Sequence, residues 1–242
     1  MAAEQPTILA TSGGLRRGER TMLAFGPLLH YAIELARPAG KPRLCYIGTA
    51  SGDDPWWSAQ IHEAATEAKV ELTVLNLFPM PPTSDLAGML GEHDAVWVGG
   101  GSCANLLALW RLHGLDAALW RAWQAGVVMA GVSAGSLCWH VGGTTDSFRP
   151  ELDVLANGLG FLPYANGVHY DSEVRRRPLL QSLVAAGTLP EAYATDDGVG
   201  LHYVGDRLVE AVSGIPDKGA YHVVRDGDAV TEERIEARLL DR

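Results

Sequence analysis

Five times within about 140 residues, a short apolar run rich in β-branched residues gives way to a longer stretch with helical spacing. Thr7-Ile-Leu-Ala-Thr11 reads as the first strand, closed by Ser12-Gly-Gly. Leu28, Leu29, Ala32, Ile33 and Ala36 then keep helical spacing behind Pro27. Leu44-Cys-Tyr-Ile-Gly48 precedes a helical stretch from Pro55 to about Lys69. Val70 to Leu77 alternates until Phe78-Pro-Met-Pro-Pro breaks it. Ala95-Val-Trp-Val98 runs into Gly99-Gly-Gly101 and the helical face of Leu106, Leu107 and Trp110; Gly126 to Gly131 is again followed by a helical pattern. Strands apolar on both sides need cover on both sides, and successive parallel strands need right-handed crossovers. The chain is therefore expected to form a three-layer, doubly wound, mostly parallel α/β sheet.

Past about residue 190 the texture changes. Ala192 to Thr195, Val199 to Val204, Leu208 to Val212 and Tyr221 to Val224 are short strands separated by Asp-Asp-Gly, Gly-Asp and Asp-Gly turns. They predict a hairpin-rich extension over 192–242, packed on the sheet of one α/β domain spanning 1–242.

Composition narrows the partners. A net charge of −10 repels phosphate backbones and anionic lipid, so neither nucleic acid nor membrane is expected. The main basic cluster is Arg175-Arg176-Arg177. Met1-Ala-Ala-Glu-Gln-Pro6 lacks the basic and apolar regions of a secretory signal, and no apolar run approaches a bilayer span. Cys45, Cys103 and Cys138 are odd in number and far apart, which suits a reducing compartment and suggests no zinc site. A cytoplasmic protein without metal or cofactor is the expectation.

Gly131-Val-Ser-Ala-Gly135 fits G-x-S-x-G at a strand-to-helix turn. Such a turn reverses sharply, glycines at 131 and 135 relieve the crowding, and the hydroxyl of Ser133 is lifted above the carboxyl ends of the strands. The amide of Ala134 and the helix start would then face a developing oxyanion. Gly99-Gly-Gly-Ser102 follows the preceding strand in the same way and offers further amides. It lacks the Gly-Lys-Ser/Thr ending of a phosphate loop.

A serine nucleophile needs a base, normally a histidine oriented by a carboxylate. Of eight histidines, His30, His62 and His113 fall on predicted helices, His93 at a helix–strand junction, and His202 and His222 in late strands. These six read as structural. His140 lies seven residues past Ser133, on the same predicted helix face but two turns away. His169, in Gly167-Val-His-Tyr-Asp171, sits at a predicted strand end and is the preferred base. Asp146 lies just beyond the elbow helix; Asp171, Asp196 and Asp197 compete with it, and spacing does not separate them.

Taken together, Val98-Gly-Gly-Gly101 with Asn105-Leu-Leu, the elbow, Gly143-Thr-Thr-Asp146, Gly158-Leu-Gly-Phe-Leu162, His169-Tyr-Asp-Ser-Glu173 with its arginines, and Ala194-Thr-Asp-Asp-Gly198 resemble the peptidase E family of serine exopeptidases, which includes aspartyl dipeptidases and the related cyanophycinases. The resemblance implies a fold like that of class I glutamine amidotransferases, with serine at the usual elbow cysteine. It implies nucleophile Ser133, base His169, an acid that is most simply Asp146, and oxyanion donors Gly100 and Gly101. Ser102-Cys103, where many members have Asn-Thr, and Val168, where many have proline, depart from the pattern and bear on substrate preference.

The expected activity is hydrolysis of short peptides through an acyl-enzyme. The resemblance suggests an N-terminal acidic residue, whose carboxylate Arg175, Arg176 or Arg177 would pair; a solvated helix start is the competing account of that cluster. Two rival functions are a hydrolase of another small amide or ester and a non-catalytic small-molecule binding module. Trp56 and Trp57, at a helix start near the site's rim, suit either a lid or a homodimer contact.

Overall fold

The computed structural model describes residues 3–241, so the first two residues of the Met1–Pro6 start lie outside the described residues. The chain opens with β1 (Thr7–Thr11), a small hairpin of β2 (Leu15–Arg17) and β3 (Leu23–Phe25), and α1 (Pro27–Leu35). Then come β4 (Arg43–Ile47), a 3-10 turn over Thr49–Ser51, α2 (Pro55–Glu67), β5 (Glu71–Leu75), α3 (Leu86–Gly91) and β6 (Ala95–Val98). α4 (Cys103–His113), α5 (Leu115–Gln124), β7 (Val128–Val132) and the one-turn α6 (Ala134–Leu137) lead to β8 (His140–Thr145), β9 (Asp153–Leu155) and β10 (Leu162–Gly167). The chain ends through α7 (Arg176–Ala185), β11 (Ala192–Thr195), β12 (Val199–Val204), β13 (Arg207–Ser213), β14 (Gly219–Asp226) and β15 (Ala229–Leu239).

Local signals account for the element ends. Pro27 and Pro55 occupy first helical turns, where a missing N–H costs nothing. Asp54 Oδ1 accepts Trp56 N–H (2.9 Å) to cap α2, Ser102 Oγ accepts Asn105 N–H (3.3 Å) to cap α4, and Gly114 closes α4 in the left-handed conformation.

β5-β4-β6-β7-β1 form a parallel block, and most pairings in the whole thirteen-stranded sheet are parallel. Strand alternation divides the core of the parallel block in two. Leu9, Leu44 and Trp97 face α1 and α2, while Ile8, Ile47 and Val98 face α3, α4 and α5. Each such fully buried aliphatic contributes roughly 1.5–3 kcal/mol. The α/β layering read from the strand-then-helix pattern is thus observed.

Two expectations need correction. The late strands do not pack on the sheet; they continue it. β12 pairs antiparallel with β1 at the sheet's centre, and β11 runs parallel to β10. β15 joins the two parts, its end Ala237–Leu239 on β13 and its earlier residues on β14. The elbow helix is also far shorter than its pattern implied. It ends after Leu137, and His140 begins β8, whose glycines leave no room for side chains: a methyl at Gly143 would lie 2.0 Å from Asn166 O. Among the described residues, no helix is long and apolar enough to cross a membrane.

Candidate active site

β7 delivers Ser133 into a turn with φ 57° and ψ −111°. A side chain held there costs roughly 1–3 kcal/mol and persists only where the surroundings over-determine it. They do so here. A methyl at Gly131 would lie 2.5 Å from Gly135 O and 2.7 Å from Val98 O, and one at Gly135 2.3 Å from Val98 O. The turn is therefore pressed against the end of β6, which only glycines permit. Because α6 has a single turn, its dipole adds little beyond the Ala134 amide itself.

The glycine loop after β6 abuts the serine: a methyl on Gly100 would lie 3.3 Å from Ser133 Cβ and 3.9 Å from its Oγ. The amides flanking this loop are engaged, Gly99 N–H by Ile47 O (3.0 Å) and Ser102 N–H by Ala50 O (2.8 Å). Among the described residues, the amides of Gly100, Gly101 and Ala134 have no acceptor. They are available to an oxyanion.

Across β1 stands the imidazole. Ser133 N–H donates to Thr11 O (3.0 Å), and His169 N–H donates to Ser12 Oγ (3.0 Å), so both backbones are pinned to successive residues at the carboxyl end of β1. Ser12 Oγ also contacts Thr195 Oγ1 (2.6 Å), tying β1 to the end of β11. His169, like Ser133, has a left-handed φ, 54°. Its Nδ1 lies 2.5 Å from Asp197 Oδ1, which leaves Nε2 as the nitrogen free for proton transfer. No hydrogen bond joins Ser133 Oγ to His169; catalytic hydrogen bonds often tighten only around substrate.

The carboxylate on His169 is thus Asp197, one of the alternatives, and not Asp146. Asp146 is exposed in a separate recess of about 310 Å³ with Glu173 and Arg175. The chain turns away there because Ser147 Oγ accepts Cys103 N–H (2.8 Å), fastening that loop to the start of α4. Asp171 stands behind Asp197, its Oδ1 accepting Asp197 N–H (2.8 Å). Burial alone would raise Asp171, but its contact with the Lys218 ammonium and the Asp197 amide holds it below the usual carboxylate range. Asp196 is buried and accepts Gly219 N–H (3.1 Å).

The arginines divide. Arg176 is buried, its guanidinium on Thr144 O (2.5 Å) and Glu173 Oε2 (2.7 Å), which corrects its expected place in substrate binding. Arg177 is held by Glu232 and lies over the Tyr170 and Tyr221 rings. Arg175 is exposed. Cys103, under the elbow with Sγ 3.6 Å from Ala134 O, has its thiol pushed up to about 12 by burial and is no rival nucleophile. Among the described residues, no three His, Cys, Asp or Glu side chains come together as metal ligands would. Ser12 was the residue that sequence reading missed; its only signal was the Ser-Gly-Gly ending of the first strand.

The family model of peptidase family S51 matches residues 8–211. An uncharacterized peptidase of Bacillus subtilis (strain 168), YgaJ, is 39% identical over 200 residues, covering 83% of this chain and 86% of that protein. Peptidase E of Shewanella denitrificans is 26% identical over 196 residues, covering 75% and 80%. Among solved structures, a peptidase from an acI-B1 Actinobacterium superposes with TM-score 0.68 at 16% identity, over 98% of this chain and 96% of that one. A putative peptidase E from Listeria monocytogenes EGD-e gives 0.61 at 14%, over 86% and 98%. At those identities the two structures speak for the fold alone.

Proposed function

The chain belongs to peptidase family S51 and is a serine peptidase; from that premise we propose that it is an exopeptidase for short peptides, working through Ser133, His169 and Asp197. The fold, on this proposal, is that of class I glutamine amidotransferases with serine at the elbow. What supports the assignment above all is the strained turn at Ser133, with unengaged glycine-loop amides on one side and the Asp197-held imidazole across β1.

Ser133 Oγ attacks the scissile carbonyl carbon as its proton passes to His169 Nε2. The amides of Gly100, Gly101 and Ala134 receive the oxyanion. Asp197 keeps Nδ1 protonated and stabilises the imidazolium. The tetrahedral intermediate collapses when Nε2 returns the proton to the departing amine, leaving an acyl-serine. Water, activated by the same nitrogen, releases the acid and regenerates the hydroxyl. Exopeptidase action and a small-peptide substrate are supported by the likeness to proteins named peptidase E. An acidic N-terminal residue is the poorer fit, since Arg176 and Arg177 are already engaged by Glu173 and Glu232 and Arg175 lies in the recess of Asp146 and Glu173.

A fluorophosphonate probe tests the proposal, because only an activated serine reacts quickly. Ser133 should be labelled, and dipeptides should be cleaved into free amino acids. Absence of labelling at Ser133, or labelling without any dipeptide turnover, would reject it in favour of a binding module or an esterase respectively.

A further inference from the structure

Beside Ser133, on the α1/α2 face of the sheet, lies a recess of about 250 Å³. Tyr46, Trp57, Trp97 and Val132 wall it, the Gly99–Gly100 backbone floors it, and Leu15 of β2 closes one side. Whole-ligand sites usually span about 300–1,000 Å³; this one suits a single side chain.

The order of the strands says which side chain. Along the carboxyl edge, Tyr46 on β4, the loop after β6, Ser133 after β7 and Ser12 after β1 follow one another, and His169 is bound on the Ser12 side. The imidazole must reach the departing amine, so the leaving group lies towards β1. Apart from Leu15, which reaches over from the chain after β1, the lining of the recess comes from the opposite side of the serine, where the acyl-donating residue must sit.

The walls say which chemistry. Neither lysine nor arginine lines the recess. Tyr46 stays neutral, its phenol pushed up to about 12 by burial and by the carboxylates of Asp53 and Asp54. A carboxylate entering here would lose its water without gaining a cation from the lining. A large apolar side chain would instead cover Trp57, which is 37% exposed at the rim. Gly99 keeps the floor clear, since a methyl there would reach within 2.7 Å of Tyr46 Oη.

We propose that this recess receives the side chain of the acyl-donating, N-terminal residue and selects a large apolar or aromatic one over an acidic one. The assignment rests on the serine exopeptidase reading above and deepens it.

Hydrolysis of Phe-Leu, Leu-Leu, Ala-Leu and Asp-Leu by the intact protein provides the test. Phe-Leu or Leu-Leu should exceed Asp-Leu in kcat/KM by about a hundredfold or more. Trp57→Ala should lower the Phe-Leu to Ala-Leu ratio by about tenfold. Ser51→Arg, a partly exposed position on the recess, should raise the Asp-Leu to Phe-Leu ratio by at least about tenfold through the missing cation. Both positions reach the surface, and thermal melts check that the variants fold. A Ser133-dependent preference for Asp-Leu, or an unchanged ratio in folded Trp57→Ala, would overturn the pocket while leaving the peptidase intact. Failure of Ser133 to label would instead bring down the hydrolytic reading itself, and the pocket with it.

Discussion

On one side of Ser133 stand β4, β6 and β7, parallel neighbours connected through helices, with the glycine loop and the elbow at their ends. On the other side of β1, His169 and Asp197 follow β10 and β11, strands that belong to the far part of the sheet and reach β1 through the contact of Thr195 with Ser12. The nucleophile and its oxyanion donors are products of local chain geometry: strand, glycine turn, helix. The base and its acid are brought in by long-range pairing. The chemistry needs both, so the seam at β1 is where local and non-local folding must agree.

The nucleophile side carries the largest expected effect. Ser133→Ala should cut kcat by about four orders of magnitude or more, judged from other serine triads, while leaving binding of a non-hydrolysable peptide nearly unchanged. Steady-state kinetics with a titrated binding assay separates the two. Residual turnover near the wild-type rate would move the chemistry off the elbow altogether.

On the other side the carboxylates can be ranked directly. Asp197→Asn should lower kcat by about a hundredfold to ten-thousandfold, since the amide no longer fixes the imidazole's tautomer. Asp146→Asn should change it less than about threefold, because Asp146 shares its recess with Glu173 and Arg175 and makes no contact with His169. Equal losses would mean that the loop at Ser147 moves to bring Asp146 back.

Arg176 sharpens the contrast by stability instead of rate. Its removal leaves Thr144 O, at the end of β8, without its donor and empties a buried volume beside Glu173. Arg176→Ala should therefore cost about 3 kcal/mol, read from denaturant unfolding. Exposed Arg175→Ala should stay within about 0.5 kcal/mol. If Arg175 served an acidic substrate, its loss would appear in KM for Asp-Leu and in no melting curve.

How much of this was legible beforehand follows the same divide. The strands β1, β4, β5, β6 and β7 are written as apolar runs bounded by Gly and Pro, and the crowding that forces Gly131 and Gly135 is written in the motif itself. The stretch after the elbow reads as helix and folds as a strand after a single helical turn. His140-Val-Gly-Gly-Thr-Thr145 has too little apolar periodicity to declare a strand, and β8 exists because β10 and β9 pair with it. The late strands were visible singly, yet nothing local says that β12 pairs with β1. Asp197 and Asp146 are equally plausible by spacing; only the parallel register of β10 with β11 brings Asp197 beside His169.

His140 offers the smallest effect and a probe of the seam from beneath. It starts β8 fully buried, its Nδ1–H donates to Ser136 O of the elbow helix (3.0 Å), and its Nε2 has no partner among the described residues. Burial pulls its pKa down from 6.5 to about 4, partly countered by that hydrogen bond. A lowered histidine pKa means that the unfolded chain takes up the proton first. Stability is therefore full above about pH 6.5, falls as the pH drops towards 4, and levels off below that, with a total loss of at most about 3 kcal/mol. His140→Asn keeps a donor for Ser136 O and cannot titrate, so its stability should be flat across that window while matching the wild type within about 1 kcal/mol at pH 7.5. Chemical denaturation at half-unit steps of pH measures both curves. Parallel slopes would assign the acid sensitivity to other groups. A slope removed with peptidase activity preserved would show that the elbow tolerates the loss of this imidazole, because its shape is enforced from the β6 side by Gly131, Gly135 and Val98 O.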